Sequence, residues 1–303
     1  MNKGVALILL MIAGTCCLPV LIKSNYTSNP VKTFDTHFEL ETSKDSVVIT
    51  RQIKKFFNNR LVLVTLKSKN QAIGNLLALP GWNYPDTQWC QKTSLCEKAL
   101  KRGYNLIFVE MQKSLYLREY YPETDKELAR HPTRKWLIDS VWTPLIKNGT
   151  INGSLKSYVI GLSTGGRGAA ILGLEYPDFF SGVAALSGDF NPNLEPNDRL
   201  MIKSLGPKRA FSKRWNGDNN ITLRTAEMKT PIYIGHGKKD HVVSYIQSLK
   251  YYQTLVKVQP KLTVKLNLDS LAGHDYKYWD SEVDSVLNFF DQIHIDSKKI
   301  NLK

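Results

Sequence analysis

The sequence predicts an α/β fold, in which a mostly parallel central sheet is covered by helices on both faces. Short apolar strand patterns alternate with amphipathic helical patterns along most of the 303 residues. A strand, a tight glycine-rich turn and a run of small helical residues follow one another at 158–170. Hydrophobic residues make up 42 % of the chain, which is enough to fill a core on each face of such a sheet.

The first 17 residues have the proportions of an export signal. Lys3 precedes an apolar run at 5–12, and small residues then lead to Cys16 and Cys17. We expect either a cleaved secretory signal or a lipoprotein signal that anchors the chain to a membrane through an acylated Cys16 or Cys17. Residues 18–35 are polar and are predicted to be a tether.

Residues 36–303 are expected to form a single domain, with an insertion around 190–229. Residues 111–132 are polar and tyrosine-rich and predict a second long connection. The apolar patterns predict strands at 37–41, 46–50, 61–66, 73–79, 104–109, 158–160, 182–186, 232–234 and 262–268. Helical spacing predicts helices at 94–101, 134–146, 198–205, 243–256 and 281–293.

The formal net charge of +14 comes largely from scattered lysines. A nucleic-acid-binding protein would concentrate such charge on one face or helix, so we expect no nucleic-acid partner. Once the signal is removed, only Cys90 and Cys96 remain, and export predicts that they form a disulfide, with two buried thiols as the alternative. The Cys and His spacing of a zinc site is absent, so we expect no metal and no cofactor.

The turn at 161–165 is the motif Gly-Leu-Ser-Thr-Gly, whose central residue is Ser163. Between a strand and a helix, this motif holds a serine in a strained conformation, and the flanking Gly161 and Gly165 allow close approach of neighbouring backbone. The following helix directs free N–H groups toward whatever lies over the serine. Ser163 is therefore the candidate nucleophile.

A serine nucleophile needs a base, and the base needs an acid that orients it. In a parallel sheet these groups are expected after the carboxyl ends of strands. Asp240 follows the strand at 232–234, and His274 follows the strand at 262–268, so the order is Ser163, Asp240, His274. Asp189 is the alternative acid. Asp275 adjoins His274 and is expected to be structural, and the remaining histidines, His236 and His241 among them, are weaker candidates for the base.

These motifs together resemble the "putative esterase" (esterase D-like) family of α/β-hydrolases, which includes feruloyl and acetylxylan esterases. The resemblance rests on 161–169, on Tyr-Pro-Asp-Phe-Phe at 176–180, on Leu-Ser-Gly at 186–188, and on the loops around Asp240 and His274. It covers about residues 60–293 and implies the fold and the triad, without a particular substrate. The chain departs from the family at Thr164, where methionine is usual, and at 80–83, where a His-Gly pair is usual.

The resemblance implies a serine ester hydrolase that acts through an acyl-enzyme. The export signal and the aromatic residues of the loops further predict an exported enzyme that acts on a small or carbohydrate ester, such as an acylated polysaccharide. The N–H groups of Thr164 and Trp82 are the expected oxyanion donors. Tyr116 and Trp279 are candidate pocket residues because aromatic side chains lie in or near the loops, although packing in the core is the alternative for each. An acyltransferase, a serine peptidase or a non-catalytic binding protein on the same scaffold remain alternative functions.

Overall fold

The structure is a computed structural model that describes residues 36–40, 47–68 and 71–300. The predicted signal at 1–17 and tether at 18–35 lie outside the described residues. The described residues belong to one compact unit.

A nine-stranded sheet runs through the described part of the chain, in the order β1-β2-β3-β5-β4-β6-β7-β8-β9. The six strands from β5 to β9 along this order are parallel to one another, and β1, β2 and β3 are added antiparallel at one side. The predicted fold class is confirmed. The strands are β1 (Thr36–Leu40), β2 (Val47–Phe56), β3 (Asn59–Lys67), β4 (Gly74–Leu79), β5 (Tyr104–Val109), β6 (Ser157–Leu162), β7 (Gly182–Leu186), β8 (Ile232–Gly237) and β9 (Val264–Asp269).

The helices fill the connections between strands. They are α1 (Gln88–Lys92), α2 (Leu95–Arg102), α3 (Arg134–Trp136), α4 (Thr143–Lys147), α5 (Thr164–Glu175), α6 (Arg199–Leu205), α7 (Ser212–Trp215), α8 (Ile246–Val258), α9 (Tyr276–Ser281) and α10 (Val283–Ile300). A π-helical stretch, Leu137–Trp142, joins α3 to α4, so the predicted helix at 134–146 is one continuous helical segment of changing pitch. Three 3₁₀ segments complete the helical structure described, at Leu128–Arg130, Pro192–Leu194 and Ile221–Glu227.

Each face of the sheet packs against its own set of helices, which is why the central strands are apolar along their whole length. Leu77 and Leu79 of β4 point to the face covered by α3, α4, α5 and α8. Leu76 and Ala78 of the same strand point to the face covered by α1, α2, α9 and α10. The alternation along β4 thus supplies both cores.

A third, smaller cluster joins the two long connections. Leu115 and Leu117 from the first connection pack against Met201, Leu205 and Trp215 from the segment 190–229. That segment contains α6, as predicted, together with α7 and two 3₁₀ segments that the sequence patterns did not indicate.

The start of α8 and two short helices differ from the sequence prediction for local reasons. Helix α8 begins at Ile246 and not at 243, because the N–H groups of Val242 and Val243 are bound to the side chain of Asp240. The short helices α1 and α9 were not predicted, since five or six residues are too few to show helical periodicity. None of the helices in the described ranges is long and apolar enough to cross a membrane.

Candidate active site

Ser163 lies in the tight turn between β6 and α5, in a backbone conformation that few residues other than glycine adopt. Its φ is 55° and its ψ is −125°. Its N–H donates to the carbonyl of Leu186 at 2.8 Å, which ties the turn to the end of β7. A Cβ on Gly161 would lie 2.0 Å from the carbonyl oxygen of Gly165, and one on Gly165 would lie 2.5 Å from the carbonyls of Leu79 and Pro80. Glycine is therefore required on both sides of Ser163.

Three side chains from the ends of neighbouring strands meet at this turn. The Nε2 atom of His274 lies 3.0 Å from the Oγ of Ser163, and its Nδ1 lies 2.6 Å from the Oδ2 of Asp240. These partners are 111 and 34 residues away from His274 along the sequence. The structure brings the three predicted residues together in the geometry that serine activation requires.

Asp240 is held as an anion by the hydrogen bonds that surround it. Its Oδ1 accepts the N–H groups of Val242 and Val243, both at 2.8 Å, while its Oδ2 faces His274 and, at 3.2 Å, the Nε2 of His236. Burial by itself raises the pKa of Asp240, but the hydrogen bonds from His236, His274 and Val243 outweigh it and hold the pKa well below its ordinary value. The acid therefore stays ionised beside His274.

Three other residues considered from the sequence, Asp189, Asp275 and His241, have different surroundings in the structure. Asp189 is bound to Arg167, whose Nη1 lies 2.9 Å from the Oδ2 of Asp189. Asp275 caps the N-terminus of α9 by accepting the N–H of Tyr278 at 2.9 Å, which agrees with the structural role expected for it. The side chain of His241 is exposed.

The expected oxyanion donors flank Ser163. Thr164 is the first residue of α5, so its N–H has no acceptor within the helix. On the other side, a Cβ on Gly81 would lie 3.2 Å from the Cβ of Ser163, so the backbone just before Trp82 packs directly against the serine. The N–H of Trp82 makes no hydrogen bond to any residue that the structure describes. Neither N–H group therefore has an acceptor among the residues that the structure describes, and both lie beside Ser163.

The two candidate pocket residues are placed in the core instead. The side chains of Tyr116 and Trp279 are both 0 % exposed, so neither lines an open pocket in this structure. Trp279 donates from Nε1 to the Oγ of Ser187 and packs edge-on against His274, with ring centroids 5.1 Å apart. Tyr116 donates its hydroxyl to the carbonyl of Pro80 at 2.9 Å. Trp279 thus packs against His274, and Tyr116 is bonded to the backbone of the 80–83 turn.

An open cavity lies beside the 80–83 turn. Its volume is about 370 Å³. Burial raises the pKa of Asp86 to about 6, and the nearby charge of Glu110 adds to this effect. The cavity is polar, and its lining is formed by Asn83, Tyr84, Pro85, Asp86, Glu110 and Gln112.

Cys90 and Cys96 are joined by a disulfide bond, as expected from the sequence, and are not the two buried thiols of the alternative. The bridge connects α1 to α2. Trp89, beside Cys90, is buried and donates from Nε1 to the carbonyl of Leu79 at 3.1 Å. The disulfide-linked helices therefore contact the strand end from which the 80–83 turn begins.

Sequence reasoning did not identify the contact of His236 with Asp240, because it considered His236 only as a rival base. The four-residue spacing from His236, at the end of β8, to Asp240, in the loop that follows, was the available signal. The contribution of Trp89 had no comparable signal, because α1 itself was not predicted.

The fold is shared with solved structures of known hydrolases. An S-formylglutathione hydrolase from Agrobacterium tumefaciens is 15 % identical, with a TM-score of 0.67 over 83 % of this chain and 96 % of that one. A substrate-bound, fluorophosphonate-binding serine hydrolase from Staphylococcus aureus is 15 % identical, with a TM-score of 0.63 over 81 % and 98 %. A ferulic acid esterase is 16 % identical, with a TM-score of 0.59 over 82 % and 98 %. Identities of this size support the fold alone.

No match was found among curated protein sequences. The model of the "putative esterase" family matches residues 119–290, which is more than half of the chain and includes Ser163, Asp240 and His274. Together with the α/β-hydrolase topology, this match shows that the chain belongs to the "putative esterase" family and is a serine carboxylic ester hydrolase.

Proposed function

We propose that this enzyme cleaves carboxylic esters through an acyl-enzyme on Ser163, with His274 as general base and acid and Asp240 as the orienting acid. The observation that supports the proposal most directly is a chain of two hydrogen bonds. The Oγ of Ser163 lies 3.0 Å from the Nε2 of His274, and the Nδ1 of His274 lies 2.6 Å from the Oδ2 of Asp240.

The chemistry follows from this arrangement. Ser163 Oγ forms a bond to the ester carbonyl carbon while its proton passes to the Nε2 of His274. The carbonyl oxygen becomes an oxyanion that the N–H groups of Thr164 and Trp82 bind. The carbon–oxygen bond to the alcohol then breaks as His274 returns the proton to the leaving oxygen. Water repeats the sequence on the acyl-enzyme and releases the acid.

A fluorophosphonate probe tests the nucleophile directly, because it phosphonylates only an activated serine. We expect one label per chain, located on Ser163 by peptide mass spectrometry. Ser163→Ala should abolish labelling and lower kcat for p-nitrophenyl acetate by on the order of 10⁶-fold, and Asp240→Asn should lower it by on the order of 10⁴-fold. Labelling at another serine, or full activity of Ser163→Ala, contradicts the assignment.

We also propose a hydroxyl-rich alcohol part for the substrate, such as an acylated sugar of a polysaccharide. The support is the polar cavity beside the 80–83 turn, whose carboxylates and amides can accept and donate hydrogen bonds to several hydroxyls. Comparing kcat/KM for acetylated oligosaccharides and for simple alkyl acetates tests this proposal. Equal values for the two classes argue against a sugar subsite.

Hydrolysis and transfer share the acyl-enzyme and differ in what attacks it. Adding an alcohol acceptor to the assay and measuring the ratio of new ester to free acid decides between an esterase and an acyltransferase. A peptide substrate assayed in parallel tests peptidase activity. Absence of any label on Ser163 is the result expected of a non-catalytic binding protein.

We propose finally that the enzyme is exported, and that residues 1–17 are the signal. The residue pattern of this segment and the Cys90–Cys96 disulfide support an oxidising destination. The N-terminus of the mature protein, determined by mass spectrometry of cell fractions, distinguishes secretion from lipid attachment. A lipid mass that disappears when Cys16 and Cys17 are both replaced by serine indicates a lipoprotein, and an intact Met1 in the cytosolic fraction contradicts export.

A further inference from the structure

His236, at the end of β8, is a second histidine that contacts the acid of the triad but takes no part in the mechanism above. Its side chain is 0 % exposed. Its Nε2 lies 3.2 Å from the Oδ2 of Asp240 and 3.0 Å from the carbonyl oxygen of Val243. Its Nδ1 lies 2.7 Å from the Oγ of Ser248 on α8.

These contacts fix the position of the proton on the ring. Nε2 faces two atoms that can only accept, a carboxylate oxygen and a carbonyl oxygen, so Nε2 carries the hydrogen. The hydroxyl of Ser248 can then donate to the unprotonated Nδ1. Every polar atom of the His236 ring is satisfied in one tautomer and one orientation.

Ser248, His236 and Asp240 form a second series of serine, histidine and aspartate contacts. It shares Asp240 with the series formed by Ser163, His274 and Asp240. In this second series, however, the serine and the histidine are completely buried, each at 0 % exposure. Ser248 cannot reach a substrate, so the second series has no nucleophile to offer. What it can do is hold the shared carboxylate.

His236 supplies a second polar contact to the oxygen of Asp240 that faces His274. The Oδ1 atom is held by two backbone N–H groups of the loop, whereas the Oδ2 atom contacts, among the described residues, the two histidines. Without His236, the carboxylate would be held through Oδ1 alone, and Oδ2 would keep only its bond to His274. A buried carboxylate that loses a donor is also harder to keep ionised.

We propose that His236 is a positioning residue that fixes Asp240 in the orientation and charge state required by His274, and that Ser248 fixes His236 in turn. The inference rests on the proposed function of the triad. His236 acts through Asp240 and touches neither the substrate nor the reacting atoms.

The test compares His236→Leu, which removes the donor, with His236→Gln, whose side-chain amide can still donate to Asp240. In His236→Leu we expect kcat for p-nitrophenyl acetate to fall roughly 10- to 100-fold, the usual cost of losing a partner behind a functional group. KM should change less than about 2-fold, since acylation and deacylation both use His274 and slow together. The rate of fluorophosphonate labelling of Ser163 should fall by the same factor as kcat. His236→Gln should recover most of the loss.

Two further variants keep the proposal falsifiable if His236→Leu does not fold. Ser248→Ala should lower kcat in the same direction, by a smaller factor. Tyr251→Phe is its matched control, because Tyr251 is buried on the same helix and its hydroxyl has no hydrogen-bond partner in the described part of the chain. We expect no change in kcat from that variant.

Provided that the fluorophosphonate probe labels Ser163 in the wild-type enzyme, either of two results overturns the inference about His236. The first is an unchanged kcat in His236→Leu. If that variant does not fold, an unchanged kcat in Ser248→Ala overturns the inference in its place. The other is an equal loss in His236→Gln and His236→Leu, which would show that only packing matters. A wild-type enzyme that is not labelled at Ser163 overturns the proposed function itself, so the two failures are distinguishable.

Discussion

Asp86 is a buried carboxyl group whose hydrogen bonding is incomplete. The residue is only 6 % exposed. Its Oδ1 accepts a hydrogen bond from the N–H of Thr87 at 2.9 Å, and its Oδ2 has no hydrogen-bond partner among the described residues. Burial raises its pKa to about 6, from 3.8 in an exposed position. The folded protein therefore keeps a proton on Asp86 at pH values where the unfolded chain has lost it.

This difference predicts how Asp86→Asn changes with pH. As the pH rises, Asp86 ionises at about pH 4 in the unfolded chain but only at about pH 6 in the folded protein. Between these values the free energy of unfolding of the wild type falls by up to roughly 3 kcal/mol, whereas that of the variant does not. The variant should be close to the wild type at pH 4 and more stable at pH 7. Urea unfolding at both values measures the difference, and a difference that is the same at both contradicts the pKa assignment.

The 80–83 turn is the element whose position decides whether the oxyanion can be bound. Its approach is fixed by two buried aromatic donors, with Tyr116 bonded to the carbonyl of Pro80 and Trp89 bonded to that of Leu79. Both bonds hold carbonyl oxygens, which would repel an oxyanion, in fixed directions. The N–H of Asn83 is in turn bound to the carbonyl of Gln112 at 2.8 Å.

Tyr116→Phe removes one of these donors and leaves the ring in place. We expect kcat for p-nitrophenyl acetate to fall roughly 10-fold with little change in KM, which is less than the loss of an oxyanion donor itself. Tyr158→Phe is the matched control, since Tyr158 is also 0 % exposed and its hydroxyl has no hydrogen-bond partner within the ranges that the structure describes. Equal activity of the two variants would show that the Pro80 carbonyl does not need to be held.

The parts of the site that sequence reasoning predicted are those that local pattern determines. The turn at Ser163 requires its own glycines, and Asp240 and His274 directly follow strands whose apolar pattern is visible. Tyr116 and Trp279 were expected at a pocket and lie in the core, because aromatic composition does not show which face a side chain takes. The bonds of Tyr116 to Pro80, 36 residues apart, and of Trp279 to Ser187, 92 residues apart, depend on the folded chain.

At the scale of the whole molecule, the parallel sheet is what makes these distant residues neighbours. Strands β6, β8 and β9 end at one edge, and Ser163, Asp240 and His274 follow them there or within a few residues. The segment 190–229, predicted as an insertion, packs Phe190, Ile221 and Met228 into the core and is also attached to this framework through charged groups at the far end of α5. The division of the chain into signal, tether and domain stays a prediction.

Glu175, the last residue of α5, is the centre of that attachment. It accepts two hydrogen bonds from Arg134, both at 2.8 Å, and one from Arg224 of the segment 190–229 at 2.7 Å. Arg134 is completely buried and also contacts Asn219. Burial raises the pKa of Glu175, but the bonds from Arg134 and Arg224 outweigh it, so the pKa lies below its ordinary 4.5.

Glu175→Gln should therefore destabilise the protein in a pH-dependent way. It leaves the buried charge of Arg134 without its counter-ion, which typically costs about 3–5 kcal/mol at neutral pH. Because the pKa of Glu175 is lowered on folding, its contribution is complete above its ordinary pKa and is lost as the pH falls through the lowered value. The difference between variant and wild type in urea unfolding should thus shrink between pH 7 and pH 3.5.

Glu227→Gln is the matched control for this prediction. Glu227 also pairs with Arg224, at 2.7 Å, but its side chain is 54 % exposed. A pair so open to solvent contributes at most about 1 kcal/mol, so its loss should be small at both pH values. If Glu175→Gln and Glu227→Gln cost the same, burial of Arg134 does not set the strength of the attachment, and the segment 190–229 must be held to the sheet by the apolar contacts of Phe190, Ile221 and Met228 instead.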